Sequence, residues 1–91
     1  MKKKETDWSG LKSKLETMDF PMVYLFKFIF PNDNRTLALV EALFGPEAQV
    51  HVNKSRNGNY LSLSAKEMMI DVDQVIDRYK QAAEIEGVMS L

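Results

Sequence analysis

The sequence predicts an α+β fold in which a four-stranded antiparallel sheet carries two helices on one face. Three observations lead to this fold. An aromatic-rich apolar run spans 22–30, two alternating runs flank Asn57-Gly58, and helical apolar spacing recurs at 37–44 and 72–83. In chain order these segments form the ferredoxin-like βαββαβ arrangement, preceded here by a short helix.

Composition excludes several classes of function. Twelve Lys and Arg residues against thirteen Asp and Glu residues leave a net charge of -1, so no general field attracts nucleic acid or membrane. The 91 residues include no cysteine, which removes disulfides, thiolate nucleophiles and cysteine-ligated metals. No apolar run approaches the roughly 18 residues of a membrane-spanning helix, and no signal peptide is apparent, so we expect a cytoplasmic protein.

The N-terminal end divides into a tail and a helix. Residues 1–7 are expected to form a flexible charged tail, and residues 8–91 a single domain. Phe20-Pro21 is expected to end the helix, because proline disfavours helical geometry in the preceding residue. The helical stripe, with Asp7 or Ser9 as its cap, comprises Trp8, Leu11, Leu15 and Met18.

The run from Met22 to Phe30 is predicted to be a central strand, because it is short and rich in aromatic and β-branched residues. Alternate side chains of a strand point to opposite faces. One set is Tyr24, Phe26, Phe28 and Phe30, and the other is Val23, Leu25, Lys27 and Ile29. Because the second set contains the only charge, we expect the aromatic set to face the core.

A hairpin is predicted between 49–55 and 60–66. If Asn57 and Gly58 are the central residues of a type I′ turn, residues whose numbers sum to 115 face each other. The resulting pairs are Val52 with Leu63 and Val50 with Ala65 on one face, and His51 with Ser64 and Asn53 with Ser62 on the other. A slip of one residue would mix the two faces, so the pattern supports this register.

Two further helices complete the unit. Residues 31–34 form a turn and cap before an apolar stripe of Leu37, Val40, Leu43 and Phe44, which ends at Gly45-Pro46. Asp71 and Gln74 resemble a capping box for a second helix, predicted to run to about Glu86. Gly87 ends that helix, and residues 88–91 are expected to add a last strand.

No catalytic site is predicted. His51 has Ser64, Gln49 and Asn53 as its predicted neighbours, and a histidine and serine without a third member are a weak signal. Asp71, Asp73 and Asp77 do not form a calcium loop, because Val75 and Ile76 stand where its glycine and turn are required. We therefore expect no enzymatic activity, no metal and no cofactor.

The face of the sheet away from the helices is the predicted interaction face. Three aliphatic side chains in a row on a central strand are unusual for a monomer, so we expect either the N-terminal helix or a second copy to cover them. The predicted face comprises Val23, Leu25, Lys27, Ile29, His51, Asn53, Tyr60, Ser62 and Ser64.

Three segments resemble a known family, the YbeD-like proteins or domain of unknown function 493. They are Phe20-Pro21, the run from Ser55 to Ser64 and the ending from Gly87 to Leu91, with Gly-Asn-Tyr-x-Ser-x-Ser as the most specific part. The similarity covers about residues 11–91. It implies a small bacterial cytoplasmic protein with a βαββαβ fold similar to the regulatory ACT domain, and it supplies no catalytic residues.

ACT domains that bind amino acids use the loop between the first strand and first helix, where backbone amides meet the ligand. The resemblance therefore implies a ligand loop made of Asn32, Asp33, Asn34, Arg35 and Thr36. Thr36 stands where that loop is expected to have a glycine, which weakens the prediction of an amino-acid ligand.

We therefore expect a regulatory or adaptor module that acts by binding a protein partner or by forming a homodimer. A small-molecule sensor is the alternative, with the ligand loop as its site. RNA binding through Lys54, Arg56 and Tyr60, with Lys27 and Lys66 nearby, is a lesser alternative, because the aromatic residues of the first strand point inward.

Overall fold

The computed structural model describes residues 7–91, which contain three helices and one antiparallel sheet. The elements are α1 (Ser9–Leu15), β1 (Met22–Pro31), α2 (Asn34–Glu41), β2 (Gln49–Lys54), β3 (Tyr60–Met69), α3 (Val72–Ala83) and β4 (Met89–Ser90). The strand order is β2-β3-β1-β4, as in a ferredoxin-like fold, so the predicted fold class is confirmed. The predicted flexible tail, apart from Asp7, lies outside the described residues. None of the described helices is long and apolar enough to cross a membrane.

Strand β1 pairs with β3 along its whole length, from Met22 opposite Met69 to Pro31 opposite Tyr60. Its two faces differ as predicted. Three aromatic side chains lie fully buried under the helices, namely Phe26, Phe28 and Phe30. The opposite set points away from the helices and is largely exposed. The alternation of β1 therefore defines both the core and the open face.

The hairpin has the predicted register but a different turn. His51 lies opposite Ser64 and Val52 opposite Leu63, as expected. The amide of Gly58 donates to the Ser55 carbonyl at 2.9 Å, so Arg56 and Asn57 are the central residues of the turn. Gly58 has a φ of 76°, and no described non-glycine residue has a positive φ.

The predicted type I′ turn at Asn57-Gly58 is therefore wrong, because that turn needs positive φ at both central residues. Residues 56–59 form a four-residue loop between Ser55 and Tyr60. The Ser55 amide donates to the Tyr60 carbonyl at 2.8 Å and closes this loop. Such loops are commonly built on a turn with negative φ followed by one left-handed residue. The loop has the same midpoint as the predicted turn, which explains why the register is unchanged.

Both longer helices begin at the predicted caps. The Asp33 carboxylate accepts hydrogen bonds from the Thr36 amide at 3.1 Å and the Thr36 hydroxyl at 2.7 Å. The Asp71 carboxylate accepts one from the Gln74 amide at 2.9 Å. The Gln74 side chain accepts a hydrogen bond from the amide of Ile70 at 2.6 Å, one residue before the N-cap amide that a standard capping box uses.

The helices end earlier than predicted, α2 at Glu41 and α3 at Ala83. Leu43, Phe44 and Ile85 lie in the turns that follow, yet they still pack against the core. The apolar periodicity therefore continues past the helix ends, which is why the pattern predicted longer helices.

Helix α1 packs on α3, on the same side of the sheet as the other helices. The Trp8 ring stacks on Tyr79 with ring centroids 6.2 Å apart, and Leu15 is buried in the core. The predicted alternative that this helix covers the open face is therefore wrong. The helix also ends before Met18, which is exposed, and well before Phe20-Pro21.

An ion pair joins α3 to the sheet. Arg78 Nη1 donates to Glu67 Oε1 at 2.6 Å, and the two side chains are only 11% and 17% exposed. The guanidinium also lies over the rings of Phe26 and Phe44, 5.4 and 5.1 Å from their centroids. Glu67 Oε2 accepts a hydrogen bond from the Gly45 amide at 3.3 Å. One carboxylate thus links β3, α3 and the loop that follows α2.

Replacing Glu67 by alanine should lower the free energy of unfolding by about 3 kcal/mol, because it leaves the Arg78 guanidinium without its counter-charge. The neighbouring Lys66 is exposed, so Lys66→Ala should change this free energy by less than about 0.5 kcal/mol. Urea unfolding followed by circular dichroism measures both. Equal losses would show that the ion pair does not hold α3 to the sheet.

The geometry of the hairpin turn leads to a second prediction. Gly58→Ala should destabilise the protein by about 1–2 kcal/mol, because an L-residue is strained at a φ of 76°. Asn57→Ala should cost less than about 0.5 kcal/mol, because Asn57 does not adopt positive φ. Thermal unfolding of the two variants under identical conditions provides the measurement. Similar losses would favour the type I′ turn instead.

Candidate functional site

The open face of the sheet is built from alternate residues of four strands. Antiparallel partners share a face, so the outward residues of β1 identify those of β3. Val23 lies opposite Met68, and Ile29 lies between Ser62 on β3 and Met89 on β4. All nine residues of the predicted interaction face therefore share one side of the sheet.

The half of this face nearest β1 and β4 is apolar, and we call it the apolar strip: Val23, Leu25, Ile29, Met68, Met89 and Leu91. Apart from Ile29, which is partly buried, each of these side chains is more than half exposed, from 51% for Leu25 to 65% for Leu91. The Leu91 amide donates to the Lys27 carbonyl at 2.9 Å, which continues the β4 pairing and places Leu91 beside β1.

The half nearest β2 is polar. His51 pairs with Ser64 and Asn53 pairs with Ser62, and Tyr60 lies at the end of this half. Among the strand residues that the structure describes, the charged ones on the open face are Lys27 and Lys66, and no carboxylate shares that face. The strand residues of this face therefore carry positive charge although the chain carries a net charge of -1, and Glu47, from the loop before β2, lines a shallow pocket with Lys66 and Met68.

Three residues of the apolar strip were not predicted. Met68 was missed because the strand was expected to end at Lys66, whereas β3 continues to Met69. Residues 66–69 are two polar residues followed by two apolar ones, so no alternation marked the extension, which the pairing with the start of β1 reveals. Met89 and Leu91 belong to a short terminal segment, whose pairing with β1 gives them their face.

His51 does not have the surroundings of a general base in residues 7–91. Its neighbour across the strand is Ser64, and no described side chain forms a hydrogen bond with it. Within the same residues, no group of three side chains is arranged to hold a metal ion. Asp71 caps α3, as predicted.

The predicted basic residues do not lie at one place. Lys27 and Lys66 are on the open face, whereas Lys54 pairs with Leu61, whose side chain faces the core. Arg56 lies in the hairpin loop, as one of the central residues of its turn. Tyr60 is the one aromatic residue on the open face among the described strands.

The predicted ligand loop borders an open groove of about 590 Å³. Asp33, Arg35 and Thr36 line one side of the groove. The other side is formed by the end of α3 and its following turn, residues 84–87, which the sequence did not suggest. The Asn32 side chain does not line the groove. Its side-chain amide donates to the Gly58 carbonyl at 2.8 Å and thereby joins the loop to the hairpin. The structure therefore brings together part of the predicted loop.

The charges of this groove oppose a ligand carboxylate. Hydrogen bonds from the hydroxyl and amide of Thr36 hold the pKa of Asp33 below its ordinary value, so this side chain is ionised at neutral pH. Its carboxylate already occupies the N-terminus of α2, where the ACT resemblance implies a ligand. Glu84 and Glu86 add negative charge against the single cation Arg35. An amino-acid carboxylate would meet repulsion here.

A model of one family, described as protein of unknown function (DUF493), matches residues 15–91. The chain belongs to this family. The match confirms the resemblance to the YbeD-like proteins and includes every residue of the open face of this DUF493 protein. No curated protein and no solved structure matches the chain. The fold is compatible with the ACT likeness implied for DUF493.

Free amino acids should leave the melting temperature of this DUF493 protein unchanged, because the Asp33 carboxylate already lies at the N-terminus of α2 and accepts the Thr36 amide. A thermal-shift series with amino acids and small carboxylates provides the measurement. A ligand at a hundred times its dissociation constant would add about 2.7 kcal/mol of stability, which such a series detects. A rise with one amino acid, lost in Arg35→Ala but kept in Lys80→Ala, would contradict this expectation.

Proposed function

We propose that this protein is a non-catalytic regulatory or adaptor module that binds a protein partner through the apolar strip. The observation that carries the proposal is the exposure of five aliphatic or thioether side chains on one sheet face that the helices leave open. Binding sites commonly combine an apolar centre with a polar rim. The serines and Asn53 beside the strip supply such a rim.

The lysines of the open face indicate what chemistry a protein partner would need. Lys27 interrupts the strip, and Lys66 borders it opposite Leu25. A bound segment with apolar side chains and one or two carboxylates would match both the strip and these lysines. An amphipathic acidic helix or an extended acidic strand has this chemistry. Catalysis forms no part of the proposal, because His51 lacks an orienting carboxylate among the described residues.

Leu25→Asp tests the proposal. Leu25 is 51% exposed, so the variant should fold with nearly the wild-type melting temperature, while losing the proteins that the wild type retains. Ser62→Asp is the matched control, because it adds the same charge to the polar half of the face. Affinity capture from cells with quantitative proteomics provides the measurement. Equal retention by wild type and Leu25→Asp would contradict the proposal.

The second candidate is a small-molecule sensor, supported by the groove beside Asp33 and Arg35. The excess of negative charge limits it to ligands that carry a positive group. RNA binding lacks comparable support in residues 7–91, because the basic side chains are dispersed and Tyr60 stands without a second aromatic residue on the face.

A further inference from the structure

Strand β2 forms an edge of the sheet, and no other strand of residues 7–91 pairs with its outer side. All six residues from Gln49 to Lys54 are exposed, and β3 pairs with them on one side only. The strand contains neither proline nor an interruption of its pairing. Proline and interrupted pairing are two devices by which proteins commonly protect an edge from another strand, and a third, a lysine side chain, is confined to Lys54 at the end of β2. The edge is therefore ready to accept a further strand.

The backbone of β2 offers its hydrogen-bonding groups at alternate residues. The Ser55 amide points to β3, since it donates to the Tyr60 carbonyl at 2.8 Å. In an antiparallel pair this direction alternates, so the amide and carbonyl groups of Val50, Val52 and Lys54 point away from β3. In the part of the chain that the structure describes, no strand pairs with the outward backbone groups of these three residues.

The apolar side chains of this edge are only partly covered. Val50 and Val52 lie on the helix side, opposite the buried Ala65 and Leu63, yet they are 36% and 39% exposed. The helices pack mainly over β1, β3 and β4 and leave this side of β2 only partly covered. A neighbour placed beside the edge could bury both valines.

We propose that a second copy of this chain pairs with β2, antiparallel and about a two-fold axis at His51, so that the two sheets become one. This axis places Val50 opposite Val52 of the partner subunit, which joins outward backbone groups and covers valine with valine. Lys54 then lies opposite Ala48 of the partner subunit. The strand is therefore self-complementary in its backbone groups and in its apolar side chains.

The proposed dimer is distinct from the proposed function. The two-fold axis is perpendicular to the sheet, so both apolar strips face the same side and stay open. A homodimer would thus present two copies of the face to a bound protein, which adds avidity without a new contact. Each proposal can fail without the other.

A single cysteine tests the axis directly, because the natural chain has none. In His51→Cys, the thiols of the two subunits would face each other in a non-hydrogen-bonded pair with a Cα separation of about 4.5 Å, which suits a disulfide. We expect most of this variant to become a covalent dimer on mild oxidation. Ser64→Cys is the control, because it lies on the same face but one strand inward. Equal cross-linking of the two variants, or none in either, would overturn the proposal.

Val52→Lys tests the interface without a cross-link. Two lysines close to the axis should raise the dimer dissociation constant by at least about tenfold, as measured by sedimentation equilibrium. Amide exchange in the wild type should slow with concentration at Val50, Val52 and Lys54, but not at His51 or Asn53. A monomeric wild type, or an unchanged constant in a folded Val52→Lys, would overturn the proposal.

The same two variants separate the two proposals. Val52→Lys should lose the dimer and still retain proteins on the open face, although with weaker avidity. Leu25→Asp should lose those proteins and remain a dimer. If Leu25→Asp instead dissociates the dimer while Val52→Lys does not, the second copy binds at the open face and the β2 axis is wrong.

Discussion

The alternation of side chains along β1 is the constraint on which the rest of the structure depends. Phe26, Phe28 and Phe30 all need burial, and a strand can bury them together only by pointing them to one face. The residues between them must then face the opposite side. The open apolar strip is thus a consequence of the same geometry that builds the core.

The placement of the helices explains both exposed surfaces of the sheet. The Glu67–Arg78 ion pair anchors α3, and Trp8 brings α1 against Tyr79 on the same side. Tyr79 also contacts the Tyr24 hydroxyl at 3.0 Å, and burial raises the pKa of its phenol, so it remains neutral in the core. Because the helices lie mainly over β1, β3 and β4, the open face is uncovered and β2 is only partly covered.

The sequence predicted features that follow from a local period, and it failed where packing extends or ends an element. The pairing of His51 with Ser64 was predicted because only one register of the two alternating runs places all apolar side chains on one face and all polar side chains on the other. The turn type was not, because two-residue and four-residue loops with the same midpoint leave the register unchanged. Phe44 and Ile85 keep an apolar spacing beyond the helix ends, so periodicity could not locate those ends.

The sequence by itself determined the order of the elements, the two faces of β1 and the absence of thiol chemistry, since these depend on neighbouring residues and composition. Only the tertiary structure decided that α1 lies on α3, that Val50 stays partly exposed, and that Glu84 and Glu86 approach Arg35 across a groove. These relations join residues that are distant in the chain. They are set by how far each helix reaches over the sheet, which a local pattern does not encode.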